Sequence, residues 1–323
     1  MRAVLVTETN SALHVVDDHP EPVAEGDAEL IDVTACGVCH SDLHVVDGVF
    51  PSPLPLVIGH EVTGVHAELG PVMVYAPWGC RHCVQCDRGL EMMCSTATEA
   101  GLFVDGGYAD HMVVKHRRYL APLGGLDPVA AAPLACGGLT AWRAVHHALG
   151  LIRERGAGAR ATVIGAGGLG QYALSYLRLL SDAQVTAVDL AQDKLDAATA
   201  IGAHHAVHAN DLKDVEPADV VIDFIGNEAT LTNSVGHVGR QGMVIVVGLG
   251  LGRVPFGFGA VPHETRLMSS VWGSRSELDD LLALARTEPS ILREVDVLPL
   301  GQAQQAHDRL RAGQTRGRIV LTT

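Results

Sequence analysis

The sequence predicts an α/β chain of two domains, one built on a doubly wound parallel sheet and the other mostly β. Three observations carry this. From Ala161 onward, β-rich runs alternate with apolar-periodic helical stretches, the pattern of a parallel sheet. Before that point the β runs are short and broken by turn residues. The length, 323 residues, suits two domains that each bury a core.

Composition narrows the class. Hydrophobic residues make up 47% and charged residues 19%, which fits a globular chain. The net charge of −14 argues against nucleic acid or an anionic membrane as partner. No apolar run is long enough to span a bilayer. The N-terminal Met1-Arg2-Ala3-Val4-Leu5-Val6 passes quickly into Thr, Glu and Asn, so no secretory signal is expected. The seven cysteines cluster at metal-ligand spacings and do not form a disulfide framework, which points to the cytoplasm.

In chain order, Ala3–Val6, Leu13–Val16 and Leu30–Thr34 read as strands. A loop follows, Cys36-Gly-Val-Cys39-His40-Ser41-Asp42-Leu43-His44, then a Pro-rich run and Gly59-His60-Glu61. A further cysteine stands at Cys136. Cys39, His60 and Cys136 make a thiolate–imidazole–thiolate set that suits tetrahedral zinc with the fourth position open. Residues 62–67 and 72–76 are strand-like. Cys80, Cys83, Cys86 and Cys94 then fall within fifteen residues, the spacing of a closed four-thiolate zinc site. An iron–sulfur cluster competes, but no proline follows the last cysteine and no second set exists. Residues 101–122 return to strand and turn, with Gly106-Gly107-Tyr108 as a hinge. Asp127-Pro128 caps one helix and a second opens near Cys136.

Ala161–Ile164 runs directly into Gly165-Ala-Gly167-Gly168-Leu169-Gly170 and a helix to Leu180. The next strand ends at Asp189, 19 residues after Gly170. Glycines between strand and helix let backbone approach a pyrophosphate, and the carboxylate takes the ribose hydroxyls. Asp189 would repel a 2′-phosphate, which favours NAD, and Lys194 is in reach of the adenosine ribose. Helix 191–201, strands 220–224 and 243–247, helices 276–286 and 302–312, and a closing strand 317–321 complete the reading.

Taken together, these motifs resemble the zinc-dependent medium-chain alcohol dehydrogenases, and among them the bacterial NAD-dependent broad-range enzymes. The resemblance covers nearly the whole chain, including Trp272-Gly-Ser-Arg-Ser-Glu-Leu and the terminal Arg316-Gly-Arg-Ile-Val. It implies a Rossmann NAD-binding domain at 139–271 and a GroES-like catalytic domain, with the four-cysteine lobe, at 1–138 and 272–323. It implies a catalytic zinc on Cys39, His60 and Cys136 and a structural zinc on Cys80, Cys83, Cys86 and Cys94. Glu61 would be the nearby carboxylate that enters the coordination sphere transiently. Asp42 would orient His60. Ser41 would contact the alcohol oxygen and His44 would end a proton path through the nicotinamide ribose. His40 and Arg318 would face the cofactor pyrophosphate, and Thr140 and Val247 join the glycine loop among the cofactor contacts. Cys36 is not a ligand in this pattern. A homo-oligomer, tetramer or dimer, is implied.

The expected activity is reversible oxidation of primary and secondary alcohols with NAD. The alternatives are a polyol, formaldehyde-adduct or amino-alcohol dehydrogenase and, further off, a non-catalytic NAD-binding redox sensor. Leu43, Phe50, Trp78, Trp142 and Trp272 are candidate pocket residues that packing explains equally well. The segment between Glu61 and Cys80 is shorter than the family pattern, and those after Cys94 and near Asn210 look trimmed. Lost surface hairpins are expected there, since the metal ligands and glycines remain.

Overall fold

The structure, a computed structural model, describes residues 1–315 and 317–323. The chain divides into two compact units, residues 1–139 with 273–323 and residues 140–272.

The first unit is organised on the strand Glu29–Val38. Its first half alternates, with Ile31 and Val33 buried and Leu30 and Asp32 exposed. From Ala35 to Val38 every residue is buried. Glu61–His66 and Arg318–Thr322 pair with it on either side, both antiparallel, and His111–Val114 also joins it. Gly70–Val74, Leu120–Pro122 and Val295–Pro299 complete the sheet. Register places Gly37 opposite both Glu61 and Val320. Only glycine fits there, because a Cβ would lie 2.0 Å from the Glu61 carboxylate. A three-stranded sheet, His14–Val16, Ala3–Val6 and Leu56–Val57, stands beside it in this unit. A short pair, Pro77–Trp78 with Thr98–Glu99, brackets the four-cysteine lobe.

One expectation fails here. The stretch after Cys39 is not a loop but an α-helix, His40–Val46. Cys39 is extended (φ −122°, ψ 156°) at its N-cap, and the Asp42 carboxylate accepts the Cys39 N–H at 2.8 Å. That return bond from the third helical residue is half of a capping box. Seven residues are too few to show a helical period, so the sequence pattern hides the helix.

The second unit is a six-stranded parallel sheet. Across the sheet the strands run His205–His208, Gln184–Asp189, Arg160–Ile164, Ala218–Asp223, Val238–Val246 and Arg266–Ser269. Counted along the chain this is the 3-2-1-4-5-6 order of a doubly wound dinucleotide fold. Helices Gly168–Leu180, Gln192–Ile201 and Glu228–His237 connect the strands. Ile164, Val188, Val221 and Val244 from four neighbouring strands form the core with Leu212 and Val235. Among the described residues no helix is long and apolar enough to cross a membrane.

Candidate functional site

Strand register and one helix cap assemble the first group of donors. Cys39 caps its helix, His60 precedes the strand Glu61–His66, and Cys136 follows the short helical turn Ala132–Ala135. Ligand atoms of Cys39, His60, Glu61 and Cys136 all lie within 4.8 Å of one another, and all four residues are buried. Gly59 permits the approach to His60. Its φ is +97°, and a Cβ there would meet the Tyr108 ring at 2.2 Å.

Asp42 organises this group. One carboxylate oxygen accepts from His60 Nδ1 at 2.9 Å. The other accepts the Cys39 N–H and the Tyr108 hydroxyl at 2.8 and 3.2 Å. With Nδ1 engaged, Nε2 is the His60 atom that can ligate a metal. Burial works against an imidazolium at His60, but Asp42 and Cys39 outweigh it and raise its pKa. A hydrogen bond from Cys136, with help from His60 and Arg318, holds Cys39 well below the usual thiol range. The same contact, together with burial, raises Cys136.

Glu61 has partners of its own. The Arg318 guanidinium pairs with its carboxylate, and the Gly137 N–H donates to it at 3.1 Å. Burial still pushes the Glu61 pKa up to about 7, against the pull of Arg318. Two sulfurs, one imidazole and a reserve carboxylate, all buried, fit a zinc site with three firm protein ligands and room for a fourth. Cys36 lies outside this group; its thiol faces the Gly37 carbonyl at 3.7 Å, and burial raises its pKa.

The remaining residues of the helix line up by helical spacing. Ser41 and His44 are half-buried and three residues apart, hence on one face. The His44 ring meets Phe50 edge-on at 5.6 Å. His40 is exposed at the first helical position. Arg318 is buried and ion-paired with Glu61, so in this structure its charge serves Glu61. Two of the aromatic pocket candidates are packing residues. Trp78 donates to the Tyr75 carbonyl at 2.9 Å and stacks on Tyr119, while Trp142 packs edge-on to Tyr176.

The second group is local. Cys80, Cys83, Cys86 and Cys94 bring their sulfurs within 4.8 Å of one another. A helix starting after Cys83 and a 3-10 turn ending at Cys94 fold the segment back on itself. The Cys80 and Cys86 sulfurs are 3.9 Å apart, close to the roughly 3.8 Å edge of a tetrahedron with Zn–S bonds of about 2.3 Å. The Cys80 N–H donates to Cys94 Sγ at 3.4 Å, and Thr96 Oγ1 lies 3.5 Å from the same sulfur. The Thr96 hydroxyl first, and then the Cys80 N–H, bring the Cys94 pKa down to about 6. Burial pushes Cys86 the other way, up to about 12, so the fit to a closed zinc site rests on the four sulfurs' spacing.

In the second unit the strand Arg160–Ile164 delivers the glycine loop. Gly165 has φ +88° and Gly167 caps the helix Gly168–Leu180. A Cβ on Gly170 would fall 1.9 Å from the Gly165 carbonyl oxygen, so helix and strand close up only with glycine there. Leu169 is half-buried in the first turn. Asp189 ends the neighbouring strand. One of its oxygens accepts the Ala166 N–H at 2.8 Å and the other those of Leu190 and Ala191, which ties it to the loop. Lys194 is half-buried on Gln192–Ile201. Thr140 is buried on the helix Gly137–Arg155, and the Val247 N–H donates to the Asp223 carbonyl at 2.8 Å.

Two residues here escape sequence reading. Asp223, fully buried, accepts the N–H groups of Ile225 and Gly226 and so shapes the turn after its strand. Tyr108 reads in sequence as part of a hinge, with no sign of its bond to Asp42.

Comparison with known proteins finds two matching families. Residues 25–124 match a family described as the alcohol dehydrogenase GroES-like domain, and residues 168–287 match zinc-binding dehydrogenase. The chain is 32% identical over 360 residues to an NAD-dependent alcohol dehydrogenase of Sulfurisphaera tokodaii, covering 99% of each. It is 31% identical to a D-arabinose 1-dehydrogenase (NADP(+)) of Saccharolobus solfataricus, covering 99% of this chain and 97% of the other. The alcohol dehydrogenase of Aeropyrum pernix superposes with a TM-score of 0.92 at 31% identity over the full length of both chains.

Proposed function

The chain belongs to the zinc-dependent, NAD-linked medium-chain alcohol dehydrogenases, and from that premise we propose the role of each site residue. The activity is reversible oxidation of an alcohol to the aldehyde or ketone with NAD, and the enzyme carries a catalytic and a structural zinc. Cys39, His60 and Cys136 hold the catalytic zinc; the four-cysteine lobe holds the structural one. Zinc at the first group supplies the Lewis acid that eases loss of the alcohol proton, and NAD supplies the hydride acceptor.

The chain's own residues do the rest. Asp42 keeps His60 oriented and makes it a more basic ligand. Ser41 accepts the hydroxyl proton as it passes its own to the nicotinamide ribose, and His44, on the same helical face, ends the path. Glu61, kept in place by Arg318, is a reserve donor at the edge of the coordination sphere. Gly165 to Gly170 cradle the pyrophosphate and Asp189 the adenosine ribose, with Lys194, Thr140, Val247, His40 and Arg318 as further cofactor contacts. Residues 1–138 with 272–323 act as the catalytic domain and 139–271 as the NAD-binding domain. A tetramer or dimer is the assembly we expect. Seven free cysteines fit the reducing cytoplasm.

The observation that carries this reading is the Cys39–His60–Glu61–Cys136 group with Asp42 behind it. Primary and secondary alcohols are the proposed substrates. The D-arabinose 1-dehydrogenase relative favours a sugar as the second reading. Following NADH absorbance with 2-propanol, 1-phenylethanol and D-arabinose, each with and without chelator, tests both. Chelator-sensitive turnover of the simple alcohols is expected. Turnover of D-arabinose alone would move the assignment to sugars, and none with any alcohol would overturn it.

A further inference from the structure

We propose that the C-terminal helix Ala303–Arg311 braces the helix that carries Ser41, Asp42 and His44, with His307 and Tyr108 as positioning residues that hold the Asp42 carboxylate against His60 and Cys39. This rests on the assignment of zinc to Cys39, His60 and Cys136.

A continuous buried chain of polar contacts supports it. His60 Nδ1 meets one Asp42 oxygen at 2.9 Å, the Tyr108 hydroxyl meets the other at 3.2 Å, and His307 Nε2 lies 3.3 Å from that hydroxyl. Asp42, His60 and Tyr108 are fully buried and His307 is only 3% exposed. Directions follow from the donor inventory. A carboxylate only accepts, so the Tyr108 O–H points to Asp42, and its oxygen accepts from His307. That assigns the His307 ring proton to Nε2. Burial lowers the His307 pKa and raises that of Tyr108, which keeps both neutral and fit for these roles.

The Tyr108 ring has no freedom to leave. It lies against Gly59, where a Cβ would overlap it, and Gly59 immediately precedes His60. His307 is also an unusual choice for its place. Ala303 and Ala306 beside it are fully buried, and an apolar side chain would pack there without needing a partner. One turn on, Arg311 pairs bidentately with Asp47 at 2.7 and 2.9 Å. Asp47 is the C-cap of the helix His40–Val46. The brace therefore grips both ends of the helix that bears the proton-carrying residues. Three donors, the Cys39 N–H, His60 and Tyr108, fix the carboxylate; losing one lets it rotate away from His60.

The test compares Tyr108→Phe, His307→Leu, His307→Gln and the double variant Tyr108→Phe/His307→Leu in the zinc-loaded enzyme. Zinc release to a chromogenic chelator and the visible spectrum of the cobalt-substituted enzyme are read alongside thermal melting. Partners behind a metal-bound histidine change affinity by about 10- to 100-fold. One step further out, Tyr108→Phe should speed release of the catalytic zinc about tenfold. His307→Leu should do so by roughly threefold to tenfold, with little change in melting. His307→Gln, whose amide can donate, should restore the slow rate. The double variant should be no faster than Tyr108→Phe, since both act through one contact. Release of the four-cysteine zinc should not change in any of them. Unaltered release and cobalt spectra in both single variants, or simple additivity in the double, would overturn the brace. Should His307→Leu fail to fold, Tyr108→Phe, which removes one oxygen, decides alone. Unmodified enzyme that releases only one zinc per chain would instead overturn the zinc assignment on which the brace rests.

Discussion

The first unit contains two groups of metal donors made in opposite ways. The four cysteines of the lobe come from fifteen neighbouring residues, and Cys80 and Cys83 are partly exposed. Their support is a backbone N–H and a threonine hydroxyl. The other group draws Cys39, His60 and Cys136 from 98 residues of chain, buries all of them, and supports them with Asp42 and an ion-paired glutamate. A local knot needs the metal to hold its shape. An assembled site has its shape from the sheet, so its metal can leave a position open for chemistry. The contrast predicts that losing one zinc should cost turnover and losing the other should cost stability.

The largest effect is expected at the assembled site. Cys39→Ser or His60→Ala should lower kcat by about a thousandfold or more, since the Lewis acid is worth several kcal/mol and about 1.4 kcal/mol is tenfold. NAD binding by fluorescence titration and the melting temperature should stay near the parent values. Full turnover in such a variant, with one zinc lost per chain, would break the comparison at its root.

The lobe should answer differently. Cys83→Ser should lower the melting temperature by roughly 10 °C, equivalent to about 3 kcal/mol in a unit of this size. Activity per folded molecule at low temperature should fall no more than about threefold, by steady-state assay against zinc content. An unchanged melting curve would mean that the lobe folds without its metal.

The same contrast explains what the sequence shows and what it hides. Donors adjacent in sequence announce themselves by spacing, as Cys80 to Cys94 do, and so does the glycine loop ahead of Asp189. The parallel sheet is legible where its strands are buried on both faces, as at Ala161–Ile164 and Val220–Asp223. His205–His208, Arg266–Ser269 and Val295–Pro299 give no strand signal, and each is an edge strand with little buried surface. The helix after Cys39 is hidden because a capping bond and its neighbours stabilise it, not an amphipathic period. Contacts across long stretches of chain are hidden for a related reason. Arg318 with Glu61 and His307 with Tyr108 span 257 and 199 residues, and neither pair carries a local pattern. Asp189 is legible by position as a candidate for the ribose, but its three backbone partners depend on where the glycine loop turns.

The smallest effect separates the two kinds of support. Asp42 is a buried carboxylate with three donors, whereas the lobe's nearest equivalent is the Thr96 hydroxyl beside Cys94. That hydroxyl helps hold Cys94 as a thiolate, but the Cys80 N–H does the same from the backbone. A neutral hydrogen bond is worth about 1 kcal/mol net. Thr96→Val should therefore lower the melting temperature by only about 2–4 °C and leave kcat untouched. The lobe tolerates this because part of its support is backbone, which no side-chain substitution removes. A loss as large as that of Cys83→Ser, by melting and zinc content together, would show that the lobe also depends on a side chain to set its thiolates, as the assembled site depends on Asp42.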